Sequence, residues 1–297
     1  MGETLHLLEL TGTLYCCAEL TAPWGIDIPA LDGCLSFQIV TAGRCWLEVD
    51  GAPPRWISRG SLTLIPHGTP HRAKSDPDSD CVPLASLPVQ SITERYELLR
   101  HGGGGDPTHV TYGVVRFDHV AAERLVSLLP TLLHIDTDHG DDWLHSTARW
   151  AAREASALRP GGETVITRLA ELLVIQAVRA WLESAPEAQQ GWLAALRDER
   201  IGLALAAIHR APSDPWNVES LAREAGMSRS AFSAKFSELV GQPAMHYVTH
   251  WRMQLARARL RSTTEPIAAV AGQLGYASEA AFCKAFKRTF GVTPGCA

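Results

Sequence analysis

His67 and His71 stand four residues apart at the end of the segment GSLTLIPHGTPH. Imidazoles at that spacing in a turn-to-strand segment could share a divalent ion, with Cys34, Cys45 or His109 supplying further bonds. Zinc or nickel is the metal expected for such a ligand set. The same histidines could equally be hydrogen-bonded within the turn and hold no ion. Seven cysteines occupy positions 16, 17, 34, 45, 81, 283 and 296 without a CxxC pair or a regular ladder, so neither a disulfide framework nor a zinc knuckle is indicated. Five of them fall before position 82, where oxidation of an exposed thiolate could serve as a signal. No Ser/His/Asp or Cys/His arrangement supports nucleophilic catalysis, and the chain is not expected to be an enzyme.

A different chemistry is concentrated at the other end. From Ser213 onward there are ten Lys/Arg against six Asp/Glu, in a chain whose net charge is −5. Only this third suits phosphate. It opens with WNVESLAREAGMSRSAFSAKFSELVG, which reads as a helix, a turn at Gly226 and a second helix capped by Ser228. Phe232 and Phe236, spaced i, i+4, must face a core, which turns Arg229, Ser230, Ser233 and Ala234 outward. The pattern returns about fifty residues later in PIAAVAGQLGYASEAAFCKAFKRTFGVTPG. There a Gly275-Tyr276 turn and a Ser278 cap precede Phe282 and Phe286, and the outward face offers Glu279, Ala280, Cys283, Lys284, Lys287 and Arg288. An internal repeat is far more specific than one such match. The helix between the units, PAMHYVTHWRMQLARARLRST, is long enough to fix their separation.

These elements require a scaffold. The first hundred residues alternate β-rich runs such as CLSFQIV, RCWLEVDG and SLTLIP with Gly and Pro, as in a small antiparallel barrel or sandwich. Gly102 to Gly105 read as a flexible loop. Strand alternation would line a ligand pocket inside that barrel with Phe37, Ile39, Trp46 and Leu64. From about His119 apolar residues recur at three and four, giving helices. The apolar run TVITRLAELLVIQAVRAWL contains Arg168, Glu171 and Arg179, so it reads as a packed amphipathic helix, with no membrane partner. The opening residues lack a signal-peptide pattern, and the cytosol is the compartment expected.

Residues 213–295 resemble the DNA-binding domain of the AraC/XylS family of transcriptional regulators, most closely in WRMQLARARL and GYASEAAFCKAFKRTFGVTP. The resemblance implies that Arg229, Ser230, Ser233 and Ala234 in one helix, and Glu279, Ala280, Cys283 and Lys284 in the other, lie where the family contacts bases. Ser228 and Ser278 open these helices, and Lys287 and Arg288 at their edge suit phosphate. GSLTLIPHGTPH is similar to the second cupin motif, and phrases such as LAELLVIQAVRAWL extend the likeness to the cupin-bearing subset of the family. Metal-using cupins carry further histidines where this chain has GRCWLEVDG, which weakens a catalytic reading.

The expected fold class is α+β: a cupin-like β-barrel over 1–118, a helical linker or dimerisation region over 119–200, and an all-α domain with two helix-turn-helix motifs over 201–297. The expected function is sequence-specific binding of double-stranded promoter DNA, modulated by a small-molecule, metal or redox effector. RNA polymerase and a second copy of the chain, as a homodimer, are the expected protein partners. The alternatives are a cupin-fold metal enzyme and a thiol redox sensor, each with a helical appendage.

Overall fold

The computed structural model describes residues 10–117, 120–135, 161–185 and 191–296, with a few positions between 146 and 154. They fall in two compact units, one ending at Ala180 and the other beginning at Trp181.

The first unit is built from twelve described strands: β1 (Leu10–Thr21), β2 (Gly25–Ile28), β3 (Leu35–Ala42), β4 (Arg44–Val49), β5 (Arg55–Ser58), β6 (Leu62–Ile65), β7 (His71–Lys74), β8 (Val82–Pro83), β9 (Val89–Ser91), β10 (Tyr96–Gly102), β11 (Pro107–Phe117) and β12 (Leu133–Ile135). They form a seven-stranded sheet, ordered β12-β6-β3-β11-β1-β10-β9, and a five-stranded sheet, ordered β5-β4-β7-β2-β8. Pairing is antiparallel except between β1 and β10 and between β2 and β8, which run parallel. Helices α1 (Val120–Ser127) and α2 (Gly162–Ser184) follow, the last four residues of α2 falling past the boundary at Ala180, and α1 packs on β11.

One apolar cluster fills the space between the sheets. It includes Ala18, Leu20 and Val40 from the larger sheet and Ile26, Cys45, Leu47, Val49 and Ile57 from the smaller. Because neighbours along a strand point to opposite faces, this fixes which residues look inward. On β3 the inward set is Ser36, Gln38 and Val40. Leu35, Phe37 and Ile39 point to the outer face, where they are also buried. The large sheet is therefore covered on both sides, and Leu35 to Val40 are buried without alternation for that reason.

The glycine run at 102–105 is not a loose loop. Gly103 and Gly105 donate to the carbonyls of Thr21 and Ala22, both at 2.8 Å, and Gly104 donates to Thr21 Oγ1 at 3.0 Å. A Cβ on Gly103 would lie 2.5 Å from Pro23 Cδ, and one on Gly105 would lie 2.7 Å from the Ala22 carbonyl oxygen. The glycines are required by close backbone approach to the end of β1, a contact that composition does not reveal.

The second unit is helical: α3 (Gly191–Arg197), α4 (Ile201–Arg210), α5 (Val218–Glu224), α6 (Arg229–Val240), α7 (Ala244–Ser262), α8 (Ile267–Gln273) and α9 (Glu279–Phe290). Helix α3, placed by sequence at the end of a linker, packs here against α4 and α6. Its Trp192 indole donates to the Tyr247 hydroxyl at 2.9 Å, and His209 Nε2 lies 2.8 Å from the same oxygen. Tyr247 and Trp251 stack with an interplanar angle of 4°, and Phe236 meets Tyr247 edge-on. This buried aromatic cluster is the core of the first helix-turn-helix.

Candidate nucleic-acid interface

Two reading helices are made by the same local rules. The Asn217 side chain accepts from the Ser220 amide while Ser220 Oγ accepts from the Asn217 amide, so α5 begins in a reciprocal capping box. Gly226 then turns the chain at φ +60°, and Ser228 Oγ accepts from the Ala231 amide to open α6. In the second unit Gly275 turns at φ +77° and Ser278 Oγ accepts from the Ala281 amide to open α9. Gly241 and Gly291 end the two reading helices in left-handed conformation. Phe232, Phe236, Phe282 and Phe286 are all fully buried. Their burial fixes the rotation of each helix about its axis.

The opposite faces are open as expected. Ser228, Arg229, Ser230 and Ala234 are exposed and Ser233 is half-buried. On α9, Ser278, Glu279, Ala280, Lys284, Lys287 and Arg288 are exposed, while Cys283 is half-buried against the core of the second unit. Arg229, Lys284, Lys287 and Arg288 have no ion-pair partner among the described residues. Lys235, also on α6, differs: its ammonium lies 2.5 Å from the Asp198 carboxylate. Burial opposes ionisation of Asp198, but Lys235 and the amides of Ile201 and Arg200 hold its carboxyl below the usual range. That lysine is spent on joining α6 to the start of α4.

Helix α7 belongs to both helix-turn-helix motifs. Tyr247 and Trp251 in its first half join the first core, whereas Met253 and Ala256 join Val270, Leu274, Phe282 and Phe286 in the second. At 1.5 Å per residue it is about 28 Å long, close to one turn of DNA. A strap adds to this rod. Arg252 donates to the Pro212 and Asp214 carbonyls, both at 2.6 Å, and its guanidinium sits 5.9 Å from the Tyr276 ring centroid. A Cβ on Gly275 would lie 2.3 Å from the Ser213 carbonyl oxygen, whereas one on Gly226 would meet nothing. The segment before the first unit is thus pressed onto the turn of the second. Sequence marked both glycines as turn residues, and only the structure separates them.

In the sheet unit the expected metal ligands are already engaged. His67 Nε2 lies 3.0 Å from the Leu129 carbonyl oxygen. His71 Nδ1 faces the Thr69 carbonyl at 2.9 Å, and its Nε2 meets the Tyr112 hydroxyl at 3.3 Å. Cys45 is buried in the apolar cluster, and Cys34 Sγ accepts from Arg116 Nε at 3.2 Å. Among the described residues no group of three His, Cys, Asp or Glu is placed to hold a metal ion.

The pocket set is corrected by strand phase. Phe37, Ile39 and Leu64 lie on the outer face of the large sheet, where Phe37 meets Tyr15 edge-on at 6.3 Å. Trp46 alternates with the inward Cys45 and Leu47, so it faces out, pairs with Trp56 at 5.4 Å and donates to Glu48. None of the four points between the sheets.

Two helix-turn-helix units on a shared rod, presenting exposed cations that no carboxylate neutralises among the described residues, define a DNA-reading protein. Family models agree at both ends. A cupin model matches residues 2–183 and a helix-turn-helix domain model matches residues 221–296. The chain is 33% identical to an AraC-like transcription regulator of Streptomyces lividans, over 99% of this chain and 96% of the relative. It is 27% identical to the RCS-specific HTH-type transcriptional activator RclR of Escherichia coli, over 99% of this chain and 95% of the relative. A solved DNA-binding domain of AdpA in complex with target DNA is 27% identical, with TM-score 0.32, over 33% of this chain and 88% of that one. The chain belongs to the AraC-type transcriptional regulators that carry an N-terminal cupin domain. It is a DNA-binding regulator of transcription.

Proposed function

We propose that the cupin unit senses a small-molecule effector and that its occupancy changes how α6 and α9 engage a promoter. The reading helices divide their labour. Arg229 and Lys284, on the faces carried over from the family, contact bases; Lys287 and Arg288, at the end of α9, contact phosphates. The observation that carries this is the contrast within one surface: Lys235 is neutralised by Asp198, while these four cations are exposed and unpaired among the described residues. Regulation follows from recruiting or blocking RNA polymerase, with the chain acting as a homodimer.

No metal is assigned a part, because His67 and His71 are held by other groups. Burial works against the redox alternative at four of the five cysteines of this unit. Burial pushes the Cys16 and Cys45 thiols up to about 12 and raises Cys17 and Cys81. Thiols so raised are poor nucleophiles near neutral pH. Cys34 accepts the Arg116 N–H at 3.2 Å and its Sγ lies 3.6 Å from the Asp32 carbonyl oxygen.

The test is a reporter driven by DNA selected from a random pool by the full chain. The intact protein is expected to change reporter output between growth conditions. A version starting at Trp181, which keeps Trp192 against Tyr247, is expected to bind the same DNA without that response. A truncated chain that still responds would overturn the sensing role.

A further inference from the structure

The two reading helices are built by the same local rules and differ in what flanks them. The core of the second motif is made by α7 and the residues after it. Helix α6 has α3 packed against it as well, and α3 also packs on α4. Seven residues are too few to hold a helix alone, so α3 exists through this docking, which buries Trp192, Leu193, Ala195 and Leu196. The Trp192 indole can only donate, so the Tyr247 hydroxyl accepts from it at 2.9 Å, while His209 Nε2 lies 2.8 Å from the same oxygen. One buried atom thus joins α3, α4 and α7. A Cβ on Gly202 would lie 3.0 Å from the Leu196 carbonyl oxygen, so α4 starts close against the end of α3.

A second anchor follows directly. Asp198, the residue after α3, accepts from the Ile201 and Arg200 amides at 2.9 and 3.1 Å and meets the Lys235 ammonium of α6 at 2.5 Å. At about 100° per residue, Lys235 lies around the α6 axis between Ala234 of the reading face and Phe236 of the core. The ion pair therefore grips α6 on its flank, where a rotation of the reading face is resisted first. Aligning Phe232 and Phe236 with Phe282 and Phe286 puts Ala285 at the matching place in α9, buried in the second core and without a charge to grip. Arg200 donates to the Gly226 carbonyl at the turn of the first motif, at 3.4 Å. Arg197, at the end of α3, donates to the Leu182 carbonyl at 2.6 Å.

We propose that Trp192 and Asp198 are positioning residues for DNA reading by α6, and that they act on this reading helix alone. The proposal rests on α6 reading DNA, as proposed above. Seating of α3 sets α6 at the rotation in which Arg229, Ser230, Ser233 and Ala234 meet bases, whereas α9 keeps its place through the second core. The two stretches of DNA read by one chain are therefore not equally secure. A change in the seating of α3 alters affinity at the α6 stretch while α9 holds. The two anchors differ in weight. Lys235 and Asp198 have side chains 38% and 20% exposed, so solvent screens their pair and its contribution is small. The Trp192 bond is buried, and its loss leaves Tyr247 short of a donor where water does not replace it.

The experiment titrates the full chain, at one salt concentration, with DNA selected from a random pool and with two copies in which one or other protected stretch is replaced by random sequence. The α9 stretch is the one whose protection Lys284→Ala removes. Trp192→Phe keeps a ring and loses the N–H; it is expected to weaken the selected DNA, and the copy that keeps the α6 stretch, by about three- to tenfold. Asp198→Asn keeps an oxygen for the Ile201 amide and is expected to weaken both by about two- to threefold. Neither is expected to change binding to the copy that keeps only the α9 stretch. Asp198→Asn with Lys235→Met is expected to weaken binding no further than Lys235→Met alone, since both break one bond. A residue that merely kept the domain folded would lower the active fraction, read by stoichiometric titration, and weaken all three DNAs alike. That result, or affinities unchanged throughout, would overturn the proposal. Arg229→Ala separates the two readings. If it abolishes the contribution of the α6 stretch while Trp192→Phe and Asp198→Asn leave it intact, reading by α6 stands and the positioning role falls. If Arg229→Ala also leaves it intact, α6 does not read DNA and both fall.

Discussion

Replacing Gly275 by alanine tests the strap that joins the two reading units. The residue sits at φ +77°, and the added Cβ would lie 2.3 Å from the Ser213 carbonyl oxygen and 3.1 Å from its carbonyl carbon. Placing a non-glycine residue in the left-handed region costs roughly 1–2 kcal/mol. Relieving the overlap requires backbone to move, since Ser213 lies in the segment that Arg252 grips through Pro212 and Asp214, and overpacking of that kind costs about 1–3 kcal/mol more. The sum is about 2–5 kcal/mol, or about 8–20 °C of Tm for a domain of this size. Gly226→Ala is the control. Its φ is +60°, but its Cβ would meet nothing, so only the conformational cost of about 1–2 kcal/mol applies. Thermal unfolding followed by circular dichroism at 222 nm reads both. Equal losses of Tm, or a larger loss at Gly226, would refute the claim that the segment before the first unit is clamped onto the second.

Lys284→Ala is expected to weaken binding to the selected DNA by about 1–3 kcal/mol and to relax preference at one base position; an equal loss on random DNA would make Lys284 a phosphate contact. Arg288→Ala is expected to weaken both DNAs alike and to lower the dependence of log K on log salt by about one, read by binding titrations at several salt concentrations. Brief iodoacetamide treatment of the folded chain should label the exposed Cys296 ahead of Cys16 and Cys45, whose thiols burial holds up at about 12; mass spectrometry of the peptides shows the order, and early labelling of Cys45 would contradict it. Burial lowers the His71 pKa below its ordinary 6.5, so the unfolded chain takes up a proton there before the folded one does. Its contribution to stability is therefore complete above about pH 6.5 and is lost as pH falls through the folded value. His71→Gln should remove that part of the acid slope of Tm, and an unchanged slope would show that His71 does not carry it.

The reading helices were legible in sequence because everything that shapes them is local. A glycine at the turn, a serine cap and two phenylalanines one helical turn apart fix the rotation of α6, and the same set fixes α9. The inward and outward residues of the strands were not legible, for a physical reason. In LSFQIV the bulkiest side chains, Leu35, Phe37 and Ile39, form one alternating set, and a sheet with one wet face would turn that set inward. Here both faces are covered, so size no longer marks the interior, and Gln38 looks in while Phe37 looks out. The glycines at 102–105 were misread for a related cause: their partners, Thr21, Ala22 and Pro23, lie some eighty residues earlier. The His209–Tyr247–Trp192 bonds and the Arg252 strap likewise join residues whose spacing follows no local period.

The most direct test of paired reading is hydroxyl-radical and methylation protection by the full chain on DNA selected from a random pool. Two protected major-groove stretches are predicted on one face of the duplex, one helical turn or about 10–10.5 base pairs apart. The stretch assigned to α9 should be lost on Lys284→Ala while the other persists. A single protected stretch, or protection no stronger than on random DNA at the same salt, would contradict the conclusion that α6 and α9 read DNA together.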